Sequence, residues 1–377
     1  MNKPLSIYVH IPFCIKKCDY CSFISLTNFK LVKDYFLCLE KEIKNYILNN
    51  NLKEYSVKSI YFGGGTPSSV EESYILNILK LLKNNFNVNS NAEITIEINP
   101  STNTLQKLVA YKKAGFNRVS IGVQSMCNKN LQKVGRIGNK KLSIETIKNA
   151  KKAGFKNISC DIMLGLPNSS FFSIKNDLRT LINLEVKHFS CYMLIVEENT
   201  KLKENIDKKQ IKTKSDEECV KYYNKITKFL KKHNIFRYEV SNFSYNGYES
   251  IHNLGYWSNR EYIGFGLSSH SYFNKTRYAN TENMEEYINN LKNNKSVVVF
   301  SETLDLVKQK EEFIMLSLRK SEGIDIKEYN NLFNCDFLQE KQNKIKKIND
   351  FIEIKNNFLY VKEEYFSILN SIILELV

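Results

Sequence analysis

Tyr8-Val9-His10-Ile11-Pro12-Phe13-Cys14-Ile15-Lys16-Lys17-Cys18-Asp19-Tyr20-Cys21-Ser22-Phe23 is the stretch from which the rest of the chain is read. Its three cysteines stand in a C-x3-C-x2-C pattern directly after a short β-branched run, Ser6 to Ile11, so a strand hands the chain to a loop bearing three thiols. Thiolates are the usual ligands of iron–sulfur clusters, and three from one loop bind three irons of a [4Fe-4S] cube while leaving the fourth without a protein ligand. Nine cysteines in 377 residues are too few for this spacing to be expected by chance. Two blander readings of the same residues stay open: three small buried side chains, or a zinc site completed by His10.

The stretch resembles the radical S-adenosylmethionine (SAM) superfamily. Its wording, Y-V-H-I-P-F-C-x3-C-x-Y-C, resembles the branch holding the anaerobic coproporphyrinogen III dehydrogenases (HemN) and the haem chaperones (HemW). The resemblance implies that Cys14, Cys18 and Cys21 hold the cluster and that its open iron takes the amino and carboxylate groups of SAM. An electron from the reduced cluster then cleaves the C–S bond to give a 5′-deoxyadenosyl radical. Cluster and cofactor carry the hard chemistry; the protein binds, orients and excludes water.

Length admits one barrel-sized core with a smaller appendage. No run of about 18 apolar residues and no basic-then-apolar leader is seen, so the chain is expected to be cytoplasmic. The six other cysteines are scattered singly, as suits reduced thiols. The formal charge of +15 is mostly lysine interleaved with acidic residues, and few arginines are available as phosphate forks. A nucleic-acid partner is therefore not expected. At most the basic surface would help meet a small acidic electron donor, a membrane surface or porphyrin propionates. Monomer and homodimer both fit.

Downstream, strand and helix patterns alternate six times, counted from Ser6 and ending at the strand His188 to Leu194, as in parallel βα units. This predicts an α/β fold, which the resemblance makes a partial (β/α)6 TIM-like barrel over residues 1–200 with functional groups at the carboxyl ends of its strands. Gly63-Gly64-Gly65-Thr66-Pro67 follows the second strand, where three glycines let a ligand approach bare peptide groups. Glu97 lies in the apolar tail Ile94-Thr95-Ile96-Glu97-Ile98, and Asp161 lies in the fifth strand; both need polar partners. Arg136 can fork a carboxylate. The resemblance carries SAM binding onto Tyr8, Tyr20, Gly64, Gly65, Thr66, Glu97, Gln124, Arg136 and Asp161. Gly138 departs from the pattern, which has a polar residue there.

Residues 201–300 are read as a linker and extension, with Thr200 to Glu218 a solvated linker or lid. The extension carries His252-Asn253-Leu254-Gly255-Tyr256-Trp257, read as a polar-aromatic loop. That H-N-x-x-Y-W string resembles a HemW motif proposed to help hold haem. His252 is thus the haem candidate, against the equal alternative that it only ties the loop down. His270 is read as structural or porphyrin-adjacent rather than a ligand. Residues 301–377 resemble the small winged-helix-like α+β domain that ends HemN-type proteins. Between a decarboxylating dehydrogenase and a protein that binds haem and hands it to acceptor proteins, the sequence favours the second. Phe23 stands where the dehydrogenases generally carry a further cysteine, and only residues 1–13 precede Cys14.

Overall fold

The computed structural model describes residues 2–377. Its first part runs β1 (Lys3–Ile11), α1 (Val32–Asn49), β2 (Tyr55–Gly64), α2 (Glu72–Asn85), β3 (Val88–Ile98), α3 (Leu105–Ala114) and β4 (Arg118–Gln124). It continues with α4 (Asn128–Lys133), α5 (Lys140–Lys152), β5 (Asn157–Leu164), α6 (Phe171–Asn183) and β6 (His188–Met193). Strands β1 to β6 pair in sequence order, all parallel. This is the expected α/β barrel with six βα units.

Each of these strands sorts its side chains by a period of two. One set is aliphatic or aromatic: Ile7 and Val9, Ile60 and Phe62, Ile94 and Ile96, Val119 and Ile121, Ile158 and Ile162, Phe189. All of these lie in the main core, five per cent exposed or less. The other set is polar: Ser6, Tyr8 and His10 on β1; Ser59 and Tyr61 on β2; Glu93, Thr95 and Glu97 on β3; Arg118 and Ser120 on β4; Ser159 and Asp161 on β5; His188, Ser190 and Tyr192 on β6. None of these polar residues belongs to that core. Burying the aliphatic set against the helices, at about 1.5–3 kcal/mol per large side chain, drives the barrel together. The polar set is turned to the other face, so the barrel interior is a chemical site rather than packing.

Residues 201–300, read as a linker and extension, carry regular structure. They supply α7 (Lys201–Asp207), α8 (Asp216–Lys231), β7 (Phe236–Arg237), β8 (Asn242–Ser244) and α9 (Ile251–Trp257). There follow β9 (Tyr262–Phe265), β10 (His270–Phe273), β11 (Thr276–Asn280), α10 (Met284–Lys292) and β12 (Val298–Thr303). These strands extend both edges of the barrel sheet into one twelve-stranded sheet ordered β12-β11-β10-β9-β1-β2-β3-β4-β5-β6-β8-β7, which stays open. The stretch from Thr200 departs from its sequence reading. Thr200 caps α7, Leu202 is fully buried, and the Leu202 N–H donates to Asp19 O in the cysteine loop at 2.8 Å. A two-turn helix with one apolar anchor has no period to detect, yet it braces that loop. Trp257 likewise ends helix α9 rather than sitting in a loop; the Ser250 side chain caps that helix.

The last part has its own core, centred on Phe313, Ile324, Tyr329, Phe337, Leu359 and Ile372. Helix α11 (Leu306–Ser317) leads to β13 (Ile324–Asp325), α12 (Ile326–Phe333), α13 (Phe337–Glu340), α14 (Gln342–Ile348), β14 (Ile352–Lys355), β15 (Phe358–Val361) and α15 (Leu369–Leu376). The three strands form a small antiparallel sheet. Arg237 stacks over Phe366 at 3.5 Å, Lys231 pairs with Glu363 at 2.8 Å, and the Ser321 N–H donates to Tyr238 O at 2.9 Å. These contacts seat the appendage against the segment that lines one side of the barrel mouth.

Candidate functional site

The polar inner face and the loops at the carboxyl ends of the strands enclose a cavity of about 470 Å³. Its wall carries Cys14, Cys18, Cys21, Tyr20, Gly64, Gly65, Thr66, Glu97, Gln124, Arg136 and Asp161. Of the residues expected to bind cluster and SAM, only Tyr8 is missing from it. Tyr8 is packed beside Tyr61 and its hydroxyl lies 3.0 Å from His10 Nδ1.

The cysteine loop is held from three sides. Cys14 N–H donates to Leu26 O at 2.9 Å, and Asp19 N–H to Val134 O at 2.9 Å. The Gly65 and Thr66 N–H groups donate to Ile11 O at 2.9 Å and Phe13 O at 2.8 Å. The glycine loop therefore spends two of its donors on the strand and loop beside it. A side chain on Gly64, at φ +106°, would run into the His10 ring, and one on Gly65 would meet the Ile11 and Phe13 backbone at 2.9 Å. This close approach is why the stretch is glycine.

The donor chemistry fits a thiolate-bound cluster. Cys14 Sγ lies 3.3 Å from Thr66 Oγ1, and Arg136 Nη1 donates to Cys18 Sγ at 3.5 Å. Burial pushes the Cys14 and Cys21 thiols up, so iron has to displace their protons. Among the described residues no three His, Cys, Asp or Glu side chains are drawn into a closed metal cage; the three thiols share a wall, with Cys14 facing Thr66 and Cys18 facing Arg136. The zinc alternative has no fourth ligand in His10, whose Nδ1 faces the Tyr8 hydroxyl and whose Nε2 lies 3.1 Å from Ile24 O.

Around the thiols the remaining polar groups are prewired. Arg136 also donates to Tyr20 Oη at 3.2 Å and, through Nη2, to Gly122 O. Gly122 leaves room for that guanidinium, since a Cβ there would sit 2.7 Å from Nη2. Gln124 sits at φ +66° where the β4–β5 register slips, and its Oε1 accepts from the Tyr192 hydroxyl at 2.6 Å. A non-glycine residue in that region is strained, and the slip turns Gln124 into the cavity. Tyr61 donates to Glu97 Oε1 at 2.7 Å, and Ser120 to Asp161 Oδ1 at 3.2 Å. Burial pushes the Glu97 carboxyl up to about 7 against the Tyr61 hydrogen bond, with Asp161 raising it further. Asp161 is raised too, again chiefly by burial. Both carboxyls are thus held above their ordinary range by burial, a shift that a cation bound beside them would reverse.

Tyr61, Arg118, Ser120, Ser190 and Tyr192 also line this cavity and were not picked from the sequence. The signal was available for Arg118 and Ser120, which lie an even number of residues from Gln124 on β4; nothing singled out on β2 or β6 leads to Tyr61, Ser190 or Tyr192. Gly138 offers no contact, with nothing within 4 Å of an added Cβ.

His252 lies elsewhere. It is 1% exposed, near the start of α9, a helix fastened to the barrel by Glu93: Ser250 Oγ and the Ile251 and His252 N–H groups all donate to that carboxylate, at 3.1–3.3 Å. The His252 Nδ1 pairs with Ser59 Oγ at 2.9 Å, Nε2 pairs with Tyr256 Oη at 3.0 Å, and the ring stacks on Tyr61. Burial, with Arg260 and Arg118 adding to it, pushes its pKa down to about 3. As placed, His252 has no nitrogen free for iron, and the alternative that it ties the segment down describes what the geometry does.

Comparison with known proteins adds to this. Residues 8–181 match the Radical SAM superfamily and residues 304–366 the HemN C-terminal domain. The chain is 33% identical over 326 residues to the haem chaperone HemW of Bacillus subtilis, spanning 86% of each chain. It is 38% identical over 269 residues to that of Buchnera aphidicola from Schizaphis graminum, 71% of this chain and 70% of the relative. The structure of coproporphyrinogen III oxidase (HemN) from Escherichia coli superposes with a TM-score of 0.86, covering 100% of this chain and 90% of that one at 20% identity. At that identity the match speaks for the fold. No helix among the described residues is long and apolar enough to cross a membrane.

Proposed function

This chain belongs to the HemW family of the radical SAM superfamily, and on that premise we propose that it binds haem and passes it to acceptor proteins, with a [4Fe-4S] cluster and SAM held at the barrel mouth. One observation carries the reading. A single cavity collects all three cysteines with Thr66, Glu97, Gln124, Arg136 and Asp161, residues drawn from the ends of five strands and the loops that follow them. Cys14, Cys18 and Cys21 would hold the cluster, and Glu97 beside the glycine loop would take the SAM ammonium. Arg136 would fork its carboxylate while steadying the Cys18 sulfur, and Asp161 would accept from ribose hydroxyls. When bound, this pair of groups supplies reductive cleavage of a C–S bond. The protein orients the ligand from charges already in place and surrounds it with buried walls.

The alternative, oxygen-independent oxidation of coproporphyrinogen III, shares the fold and fits less well. Phe23 puts an exposed ring, 67% accessible, where the dehydrogenases generally carry a further cysteine. The test is anaerobic reconstitution followed by two assays on one preparation, haem titration and coproporphyrinogen III turnover. Haem uptake without protoporphyrinogen formation is the expected result, and turnover would overturn the chaperone reading.

A further inference from the structure

Next to the cluster cavity lies a larger one, about 840 Å³, toward the upper end of the roughly 300–1,000 Å³ of ligand sites. The two share Ser22, Phe23 and Asn253 as common wall. The larger one is bounded by β9 to β11, the end of α9 and the face of α11 that carries Glu312 and Leu316. Its lining is rich in flat rings, Tyr256, Trp257, Tyr262 and Tyr272 among them, together with Arg260, Arg277 and His270. Aromatic walls with a few polar anchors suit a broad, planar, anionic ligand.

The chain has five histidines, and their environments separate them. His10, His188 and His252 each have both ring nitrogens facing partners within hydrogen-bond distance. His233 packs against Phe229 at the end of α8, away from the cavity. His270 is exposed at the start of β10, lines the cavity, and shares a strand face with Tyr272 two residues on. None of the hydrogen bonds of the described residues uses its ring. The two arginines divide in the same way. Arg277 pairs with Glu312. Arg260 makes no ion pair among the described residues and uses only Nη1 in the fold, toward Ser6 Oγ and Ile251 O. Two buried wall atoms, Glu239 Oε1 and Asn242 Oδ1, lack a partner, which also marks the cavity as built for something polar at its edge.

We propose that this cavity is the cargo site, that the His270 imidazole ligates the haem iron, and that Arg260 holds a propionate. The proposal rests on the haem-chaperone reading and reverses the sequence reading of His270 as a mere neighbour. Imidazole is a common axial ligand of haem iron, and a guanidinium with unused N–H groups is the natural partner of a carboxylate. An exposed ligand on an open wall can be replaced by an acceptor's own side chain, which a carrier needs. His252 would then shape the site indirectly, by fixing the helix that carries Tyr256 and Trp257.

The test is titration of oxygen-protected protein with haemin, following the Soret band, with resonance Raman for the axial ligand. His270→Ala is expected to weaken binding about tenfold or more, to lose the histidine-ligated signature, and to regain it on addition of free imidazole. His252→Gln is expected to keep the wild-type ligand signature while lowering the melting temperature. Wild-type protein should bind haemin dimethyl ester about tenfold more weakly than haemin, and Arg260→Gln should erase that difference. An unchanged spectrum and affinity in His270→Ala overturns the ligand assignment, and equal binding of acid and ester overturns the clamp. The ester comparison needs no variant, so it decides even if a substitution disturbs folding. Failure of the wild-type protein to take up haemin at all would instead overturn the chaperone reading itself.

Discussion

The two adjoining cavities differ in how much of their chemistry is already satisfied. In the cluster cavity Arg136 is bonded to Tyr20 and Gly122, Tyr192 to Gln124, Tyr61 to Glu97 and Ser120 to Asp161, with Arg118 Nε the exception. In the larger cavity His270 and most of Arg260 are unused, and Glu239 Oε1 and Asn242 Oδ1 are without partners. A site that keeps its ligand gains from groups locked in place before binding. A site that must let its ligand go keeps anchors that water or another protein can replace. The pair is thus a contrast between a resident cofactor and a passing cargo.

The sharpest way to break that contrast is to remove the cluster. Replacing Cys14, Cys18 and Cys21 together by Ala should reduce iron and sulfide after reconstitution to background, read by metal analysis and absorbance. Haemin binding should persist, since no cysteine lines the larger cavity; loss of both would make the two cavities one site. Next in size is Glu93→Ala. Glu93 caps α9, which forms part of the larger cavity, and lies 3.9 Å from the Arg118 Nε on the cluster side, both side chains nearly inaccessible. Taking away one member of a buried ion pair costs about 3–5 kcal/mol. Urea unfolding should show a loss of that order, with both ligands weakened, because this carboxylate holds α9 and Arg118, which line the larger cavity and the cluster cavity respectively. Arg136→Lys should act on one side only. A lysine cannot reach Cys18, Tyr20 and Gly122 together, so SAM affinity should fall by about 1.5–3 kcal/mol by calorimetry, with haemin binding unchanged.

The sequence made the cluster cavity legible and the cargo cavity nearly illegible, for a physical reason. Cys14, Gly64 and Glu97 belong to segments whose local pattern is set by chemistry: a thiol spacing, a glycine run at a strand end, a charge inside an apolar strand. Counting by two from Glu97 reaches Thr95 and Glu93, and from Asp161 reaches Ser159, so the inner faces of β3 and β5 were within reach of strand periodicity, whereas β6 carried no such anchor. Gln124 came from a motif; the slipped register and left-handed backbone that aim it are visible only in three dimensions. The larger cavity is assembled from β1, α9, β9 to β11 and α11, which are up to about 300 residues apart in sequence. No local window holds it. His252 drew attention because it sits in a conspicuous string, Asn253 to Trp257 beside it, while His270 follows two serines and carries no motif. Burial and bonding, rather than spelling, tell the two apart.

The smallest effect concerns a single proton. With the cluster cavity empty, burial holds the Glu97 carboxyl near 7, so around neutral pH it is partly protonated. An ammonium placed beside it favours the carboxylate, and binding must then expel the proton that remains. The sign follows: SAM binding should be insensitive to pH well above 7 and weaken below it, by at most about tenfold per pH unit for one proton. Proton release should appear in calorimetry as an enthalpy that changes with the ionisation heat of the buffer. Glu97→Gln should bind more weakly and lose both the pH slope and the buffer dependence. Haemin binding in the larger cavity, which Glu97 does not line, should keep the same pH profile in wild type and variant. A pH slope that survives in Glu97→Gln would move the proton to Asp161, the other raised carboxyl on that wall, and with it the place where the ligand's positive charge rests.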